Sequence, residues 1–267
     1  MEGGNTVTAG EHMSVSSARF ETTAGKSPDE RQIRADLAAC YRLVAHFRMS
    51  DLTYTHISAR IPGRSEQFLL NAFGLLFEEV TATNLVTVDA AGGVLSDPTG
   101  LGINPAGFVI HSAIHAARSD IACVLHTHTM AGMAVSAQEE GLLPITQHAM
   151  RFHGRIGYHE YEGISLDQVE RERLARDLGP HNAMILRNHG LLTCGSSIAE
   201  AFNLMYYLER ACQAQVGALA GGRPLHMPSA DAVSTTARIF DGAGPAIAND
   251  WKALLRMLDR ADPSYRD

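Results

Sequence analysis

Apolar positions along the chain fall into a few recurring textures. Ile33, Leu37, Cys40, Leu43 and Val44 recur three and four apart, the spacing of one helix face, and predict an amphipathic helix over 28–48. Just before it, Ser27-Pro28-Asp29-Glu30 reads as a capping box, with Ser27 as the cap and Pro28 where a missing N–H costs nothing. His56-Ile57-Ser58-Ala59-Arg60-Ile61 alternates as a strand does, and Pro62-Gly63 turns the chain. Strands at Phe68–Asn71 and Leu85–Asp89, with a short partner near Val94-Leu95, complete a β-rich block. Asn104-Pro105 opens a second helix to about Arg118, expected to bury Val109, Ile110, Ile114 and Ala117. Ala122–His126 reads as a short apolar strand and Thr129–Ala137 as a short helix. Ser165-Leu166-Asp167-Gln168 is a second capping box, and its helix stops at Gly179-Pro180. Ala183–Leu186 and Leu191–Gly195 are strands on either side of Gly190, and Ser197 caps a long helix to about Ala220. The remainder is mixed, with one helix around Ile247–Leu258. This alternation predicts an α/β fold: one three-layer sandwich with helices on both sides of a mixed sheet.

Composition adjusts the picture at the edges. The chain has 267 residues, 45% apolar and 19% charged, as a cored globule has. Residues 1–26 are rich in Gly, Ser, Thr and Ala without apolar period and are expected to form a disordered arm. That leaves 27–245 as the domain and 246–267 as a C-terminal helix and tail. No apolar run approaches the ~18 residues of a membrane span. A net charge of -7 argues against a nucleic-acid partner. Cys40, Cys123, Cys194 and Cys212 have no paired spacing, and the N-terminus lacks the basic-then-apolar pattern of a signal peptide. Reduced thiols and a cytoplasmic location are therefore expected. No glycine-rich phosphate loop is present.

Histidine is the unusual component, with 13 in the chain. His126-Thr127-His128 stands at the exit of an apolar strand, where residues two apart share a face and can chelate one metal. The pair alone is also what two polar residues at a strand end look like. Asn188-His189-Gly190 ends another buried strand, and Gly190 permits either positive φ or a close backbone approach that aims His189 into a cleft. Three histidines at strand ends of one sheet make a tridentate site with an open coordination position, the arrangement of catalytic metals. His111 and His115 are four apart on one helix and are expected to pair on its solvent side. His148, His153, His159, Tyr158 and Tyr161 cluster in 147–162, as polar loop residues, a second layer around the site or a subunit contact. Glu78 and Glu79 are expected to cap the following segment, and Met205-Tyr206-Tyr207 to lie in the core or an interface.

Val124-Leu125-His126-Thr127-His128 followed by Leu186-Arg187-Asn188-His189-Gly190-Leu191-Leu192 resembles the class II aldolase/adducin family. Thr55–Arg60 and Phe77–Ala82 match it too, in the right order, over about residues 30–220. The resemblance implies an α/β/α sandwich around a mixed, mostly antiparallel sheet, assembled as a homotetramer. It implies one divalent metal per subunit, held by His126, His128 and His189, with zinc first and manganese or iron as alternatives. It also implies a small-molecule substrate, and members range from sugar-phosphate aldolases and decarboxylases to an iron oxygenase branch and the metal-free scaffold adducin. Tyr265 is a candidate to reach a neighbouring subunit.

Where the sugar-phosphate aldolases carry a metal-ligating acid/base Glu, this chain has Gly107. Two phosphate-binding Ser fall on Pro105 and Ala106, an Asn on His56, a loop residue on Phe73, and a catalytic Tyr near Ala149. Such a wall does not repay the desolvation of a dianion, so the substrate is expected to lack a phosphate. His56, Asn71 and Gly74 are the candidate substrate-binding residues. With an electron sink and no obvious base, a lyase of decarboxylase or aldolase type is the first expectation. An iron oxygenase on an aromatic keto or hydroxy acid, or a non-catalytic scaffold, are the alternatives.

Overall fold

The computed structural model describes Met1, residues 29–163 and residues 168–267. Helix α1 (Glu30–His46) is capped by Asp29, whose carboxylate accepts from the Gln32 N–H at 2.9 Å. The expected cap Ser27 and the second capping box at 165–167 lie outside the described residues. Strands β1 (His56–Ile61), β2 (Arg64–Leu70), β3 (Val86–Asp89) and β4 (Val94–Ser96) form a meander. Then follow α2 (Pro105–Ala117), β5 (Cys123–Thr127), α3 (Met130–Ser136), α4 (Gln147–Met150) and β6 (Ile156–His159). The chain continues through α5 (Gln168–Leu178), β7 (Ala183–Leu186), β8 (Gly190–Gly195), α6 (Ile198–Leu219), α7 (Ala230–Ile239) and α8 (Gly244–Ala261). Three of these, α4, β6 and α7, carry no clear period in the sequence. Two are single turns or four-residue strands, and α7 buries only Val233 and Ala237.

The strands make one eight-stranded sheet in the order β4-β3-β2-β1-β5-β8-β7-β6. Its neighbours are antiparallel except β6 beside β7. The two-residue period sorts side chains to opposite faces. Ile57, Ala59, Ile61, Cys123 and Leu125 meet α1, α3, α6 and α8 in the larger core. Val124, Met184, Leu186 and Leu192 meet Ala113 and Ile114 of α2 and Leu174 and Leu178 of α5 in the smaller one. This is the expected α/β/α sandwich.

Helix α2 lies with a different face inward than its apolar pattern suggests. His111, Ser112, Ala113, Ile114 and His115 are buried, Val109 and Ile110 are half-buried, and Ala117 is exposed. The cause is β1, whose residues on this face are His56, Ser58 and Arg60, so polar side chains of the helix find partners by turning in. At the C-terminus, Tyr265 is 1% exposed and its hydroxyl donates to Asp259 at 2.7 Å. It packs into its own subunit's core, so it does not extend to a neighbour. All four cysteines are free and buried. Among the described residues no helix is long and apolar enough to cross a membrane.

Candidate metal centre

The three strand-end histidines converge. His126 is the last residue but one of the wholly buried β5, His128 follows the strand, and His189 sits in the turn between β7 and β8. That turn is tight for two reasons. Asn188 takes the left-handed conformation (φ 54°), and a Cβ on Gly190 would stand 2.4 Å from the Thr127 carbonyl oxygen. Gly190 therefore serves close approach of β8 to β5, and its neighbour supplies the positive φ. The Nε2 atoms of His126 and His128 are 2.9 Å apart, as are those of His128 and His189. Among the described residues, these three form the one group of three or more potential ligands whose donor atoms lie within 4.8 Å of one another.

The remaining ring nitrogens show which tautomers are present. His126 Nδ1 is 2.9 Å from the Leu191 carbonyl oxygen, which can only accept, so Nδ1 carries the proton. Burial holds the His126 pKa well below its usual value, so the ring is neutral and its Nε2 is a bare lone pair. His128 Nδ1 is 2.9 Å from the Asp51 carboxylate, which orients that ring in the same way. Burial, and then the neighbouring His128 and His56, push His189 down to about 4. The bare Nε2 of His126 thus lies 2.9 Å from His128 Nε2, which lies as close to His189 Nε2, and a cation among them would be held by all three rings. Three imidazole nitrogens as donors, with a carbonyl behind one ring and a carboxylate behind a second to orient them, suit a divalent transition metal. The residues present therefore fit such an ion.

A cavity of about 400 Å³ opens over this cluster, with His56, Gly107, Tyr54 and Tyr161 in its walls. His56 lies opposite His126 across the β1–β5 ladder, and their ring centroids are 6.0 Å apart. It is 4% exposed, and neither ring nitrogen has a hydrogen-bond partner. The backbones of Gly107 and Tyr54 pass close by without hydrogen-bond geometry, and burial pushes His56 down to about 4. A Cβ on Gly107 would stand 2.2 Å from this ring, so the glycine in the first turn of α2 is what makes room for it. Behind His56, at 4.2 Å between centroids, lies His111. Ser58 Oγ is 2.7 Å from His111 Nδ1 and 2.9 Å from His115 Nε2. The expected solvent-side pair is thus a buried polar seam between β1 and α2.

The other candidates are placed as follows. Asn71 lines a small cleft beside His56, but its side-chain oxygen accepts from the Tyr41 hydroxyl at 2.9 Å and its amide donates to Ala72. Gly74 occupies a left-handed turn (φ 102°) and does not line the histidine cavity. His159 lines the cavity with its Nδ1 on Asp177 at 2.8 Å and its Nε2 unpartnered, whereas His148 packs on Tyr207 elsewhere. Glu79 accepts from the Leu76 N–H at 2.7 Å and so closes the turn that precedes it, whereas the segment after it is capped by Asn84, which accepts from the Thr81 N–H at 2.8 Å. Sequence reasoning missed Asp51, which lies 77 residues before the ring it orients. It also missed Glu160 and Glu162 in the cavity's outer wall. Arg187, in the same wall, is committed to the Gln138 and Glu139 carbonyl oxygens and stacks on Tyr158.

Comparison with known proteins agrees with this geometry. A crystal structure of an aldolase II superfamily protein from Pseudomonas syringae is 55% identical, with a TM-score of 0.87 over 91% of this chain and 98% of that one. An L-fuculose 1-phosphate aldolase from Glaciozyma antarctica is 28% identical, with a TM-score of 0.79 over 91% of this chain and 97% of its own. Alpha-adducin of Rattus norvegicus is 41% identical over 92% of this chain, which spans 35% of the adducin. A family model described as "Class II Aldolase and Adducin N-terminal domain" matches residues 35–216. With the histidine cluster, the eight-stranded sandwich and these relatives together, the chain belongs to the class II aldolase and adducin N-terminal domain family.

Proposed function

We propose that this protein is a divalent-metal-dependent carbon–carbon lyase acting on a non-phosphorylated oxygenated acid or ketone. The observation that carries the reading is the convergence of three histidine Nε2 atoms, with His126 oriented by the Leu191 carbonyl and His128 by Asp51. A metal bound there supplies a Lewis acid that polarises a substrate oxygen. The chain's own residues do the rest. His56, whose ring lines the cavity and whose nitrogens have no protein partner, is the residue proposed to hydrogen-bond a second oxygen of the substrate and fix its orientation. Tyr54 and Tyr161 wall the cavity and narrow the access of water. Decarboxylation fits best, because it needs an electron sink and no base to begin, and Gly107 leaves no carboxylate on the first turn of α2.

The absence of phosphate recognition is supported by the charges around the cavity. Among the described residues that line it the one arginine is already committed, and Glu160 and Glu162, the latter paired with Arg173, stand in the same wall. A dianion brought there meets carboxylates and, among those residues, no uncommitted arginine. We propose zinc as the metal, with manganese or iron as alternatives, and a homotetramer as the assembly.

Elemental analysis of untagged protein, beside a His126→Ala/His128→Ala control, tests the reading. About one equivalent of zinc or manganese per chain, lost in the control, is expected, with CO₂ release from a panel of keto and hydroxy acids. Iron with O₂ uptake would instead move the protein to the oxygenases. No metal even after reconstitution would favour a scaffold, a reading that the alpha-adducin relative makes concrete. Micromolar binding of fuculose 1-phosphate would overturn the non-phosphorylated substrate.

A further inference from the structure

A second cavity, of about 700 Å³, opens at the other end of β7. Ala183 at the start of that strand lines it, whereas Leu186 at the end lines the histidine cavity. Three residue steps of about 3.3 Å separate the two openings. The walls come from Arg151 just after α4, from Ser196–Glu200 at the start of α6, and from the α7–α8 turn.

Arg151 is the feature that needs an explanation. It is 7% exposed, yet among the described residues no carboxylate or other acceptor meets its guanidinium. It is held instead over two ring faces, 5.0 Å from the centroid of Tyr207 and 5.1 Å from that of Phe240. The carboxylates whose charges reach it are already engaged. Glu200 accepts from the backbone N–H and hydroxyl of Ser196 at 2.8 and 2.7 Å and Asp250 from the Asn203 amide at 3.5 Å, while Asp241 in the cavity lining pairs with Arg155 at 2.6 Å. The aromatic faces take up the two sides of the guanidinium, and its in-plane donors are left without a protein acceptor on the cavity that Arg151 lines. The planar guanidinium fork matches a carboxylate, which it can hold through two parallel bonds. Phe152, Leu204, Phe240 and Ile247 add an apolar wall, while Glu200 and Asp241 in the same lining disfavour a second negative charge.

We propose that this cavity is a second ligand site, distinct from the histidine centre, which takes a monocarboxylate with an apolar body. The carboxylate sits on Arg151 and the body lies against Phe152, Phe240 and Ile247. The site does not rest on the lyase reading, because no residue of the histidine cavity lines it.

The experiment titrates benzoate into full-length His126→Ala/His128→Ala protein, so that no metal contributes, and follows the heat of binding by calorimetry. A saturable change is expected, with its midpoint weakened at least about tenfold by an added Arg151→Gln and by a smaller factor by Arg151→Lys. Inorganic phosphate is expected to bind more weakly than benzoate. Far-UV circular dichroism checks that each variant is folded. If Arg151→Gln does not fold, Arg151→Lys carries the comparison. An unchanged midpoint in the folded variant, or no saturable response in the parent, overturns the site. Phosphate binding as tightly as benzoate overturns the monocarboxylate.

Discussion

At the scale of single residues, the histidine centre depends on which nitrogen of each ring is left bare. Asp51 decides this for His128, from a loop bent through left-handed Arg48 (φ 57°) and Leu52 (φ 47°). Asn at position 51 can present its amide N–H₂ to Nδ1, which favours the wrong tautomer. Asp51→Asn is expected to weaken metal binding roughly 10–100-fold, read by competition with a chelator, with little change in the melting temperature of the metal-free protein. Gly107 makes the converse point, since its importance lies in what it lacks. Gly107→Ala drives a methyl group into the His56 ring and is expected to cost about 1–3 kcal/mol in urea unfolding. A variant as stable as the parent would show that His56 can move aside freely.

At the scale of elements, the β1–α2 seam trades apolar packing for a chain of buried imidazoles. His115 is stacked on Phe68 with centroids 4.5 Å apart and is pushed down to about 3, first by burial and then by Arg60. In the unfolded chain the same ring titrates near 6.5. The folded state thus binds fewer protons between these values, and stability falls as pH drops below about 6.5 and continues to fall towards about 3. At pH 5 the contribution from this one ring is about 2 kcal/mol. His115→Phe is expected to flatten the decline in urea midpoint between pH 7 and pH 5, measured with chelator present. An unaltered slope would mean that His115 is already protonated or free to reach water. The β5–β8 contact is a second element-scale constraint. Gly190→Ala would force a Cβ against the Thr127 carbonyl and pry apart the strands that carry His126 and His189. A loss of about 1–3 kcal/mol is expected in denaturant melts, together with weaker metal binding.

At the scale of the whole molecule, the C-terminal helices belong to the same core as the sheet. Leu258 and Tyr265 are buried in the cluster that contains α1 and α6, and Arg42 of α1 pairs with Asp262 at 3.1 Å. Tyr265 also brings the chain end beside the segment that leads into β3, where the Ala82 N–H donates to its carbonyl at 2.9 Å. Tyr265→Ala is expected to destabilise the entire molecule by about 3–5 kcal/mol in a single cooperative transition. An early, separate transition would show the tail to be an independent unit.

The chain pattern determines the parts of this protein that local rules govern. Alternation along His56–Ile61 assigned which of its residues share a face, and the His-Thr-His spacing put two histidines side by side, because side-chain direction repeats every two residues in a strand. The third histidine of the cluster was legible for a similar reason: a histidine flanked by a glycine at the end of an apolar run is a local signal. The same rules misjudged α2, since its apolar period ranks residues by preference for water and says nothing of polar partners across the interface. Ser58, standing between His111 and His115, reverses that ranking, and only the packing of β1 on α2 supplies it. Asp51 reaches His128 through a loop conformation without periodicity, and His56 faces His126 through the pairing register of two strands some 70 residues apart. Arg151 likewise reads as an ordinary surface cation until α6 and the α7–α8 turn close two aromatic rings around it. Local geometry is set by neighbouring residues, so sequence determines it. Partnership and desolvation depend on what the rest of the chain brings alongside, so only the tertiary structure decides them.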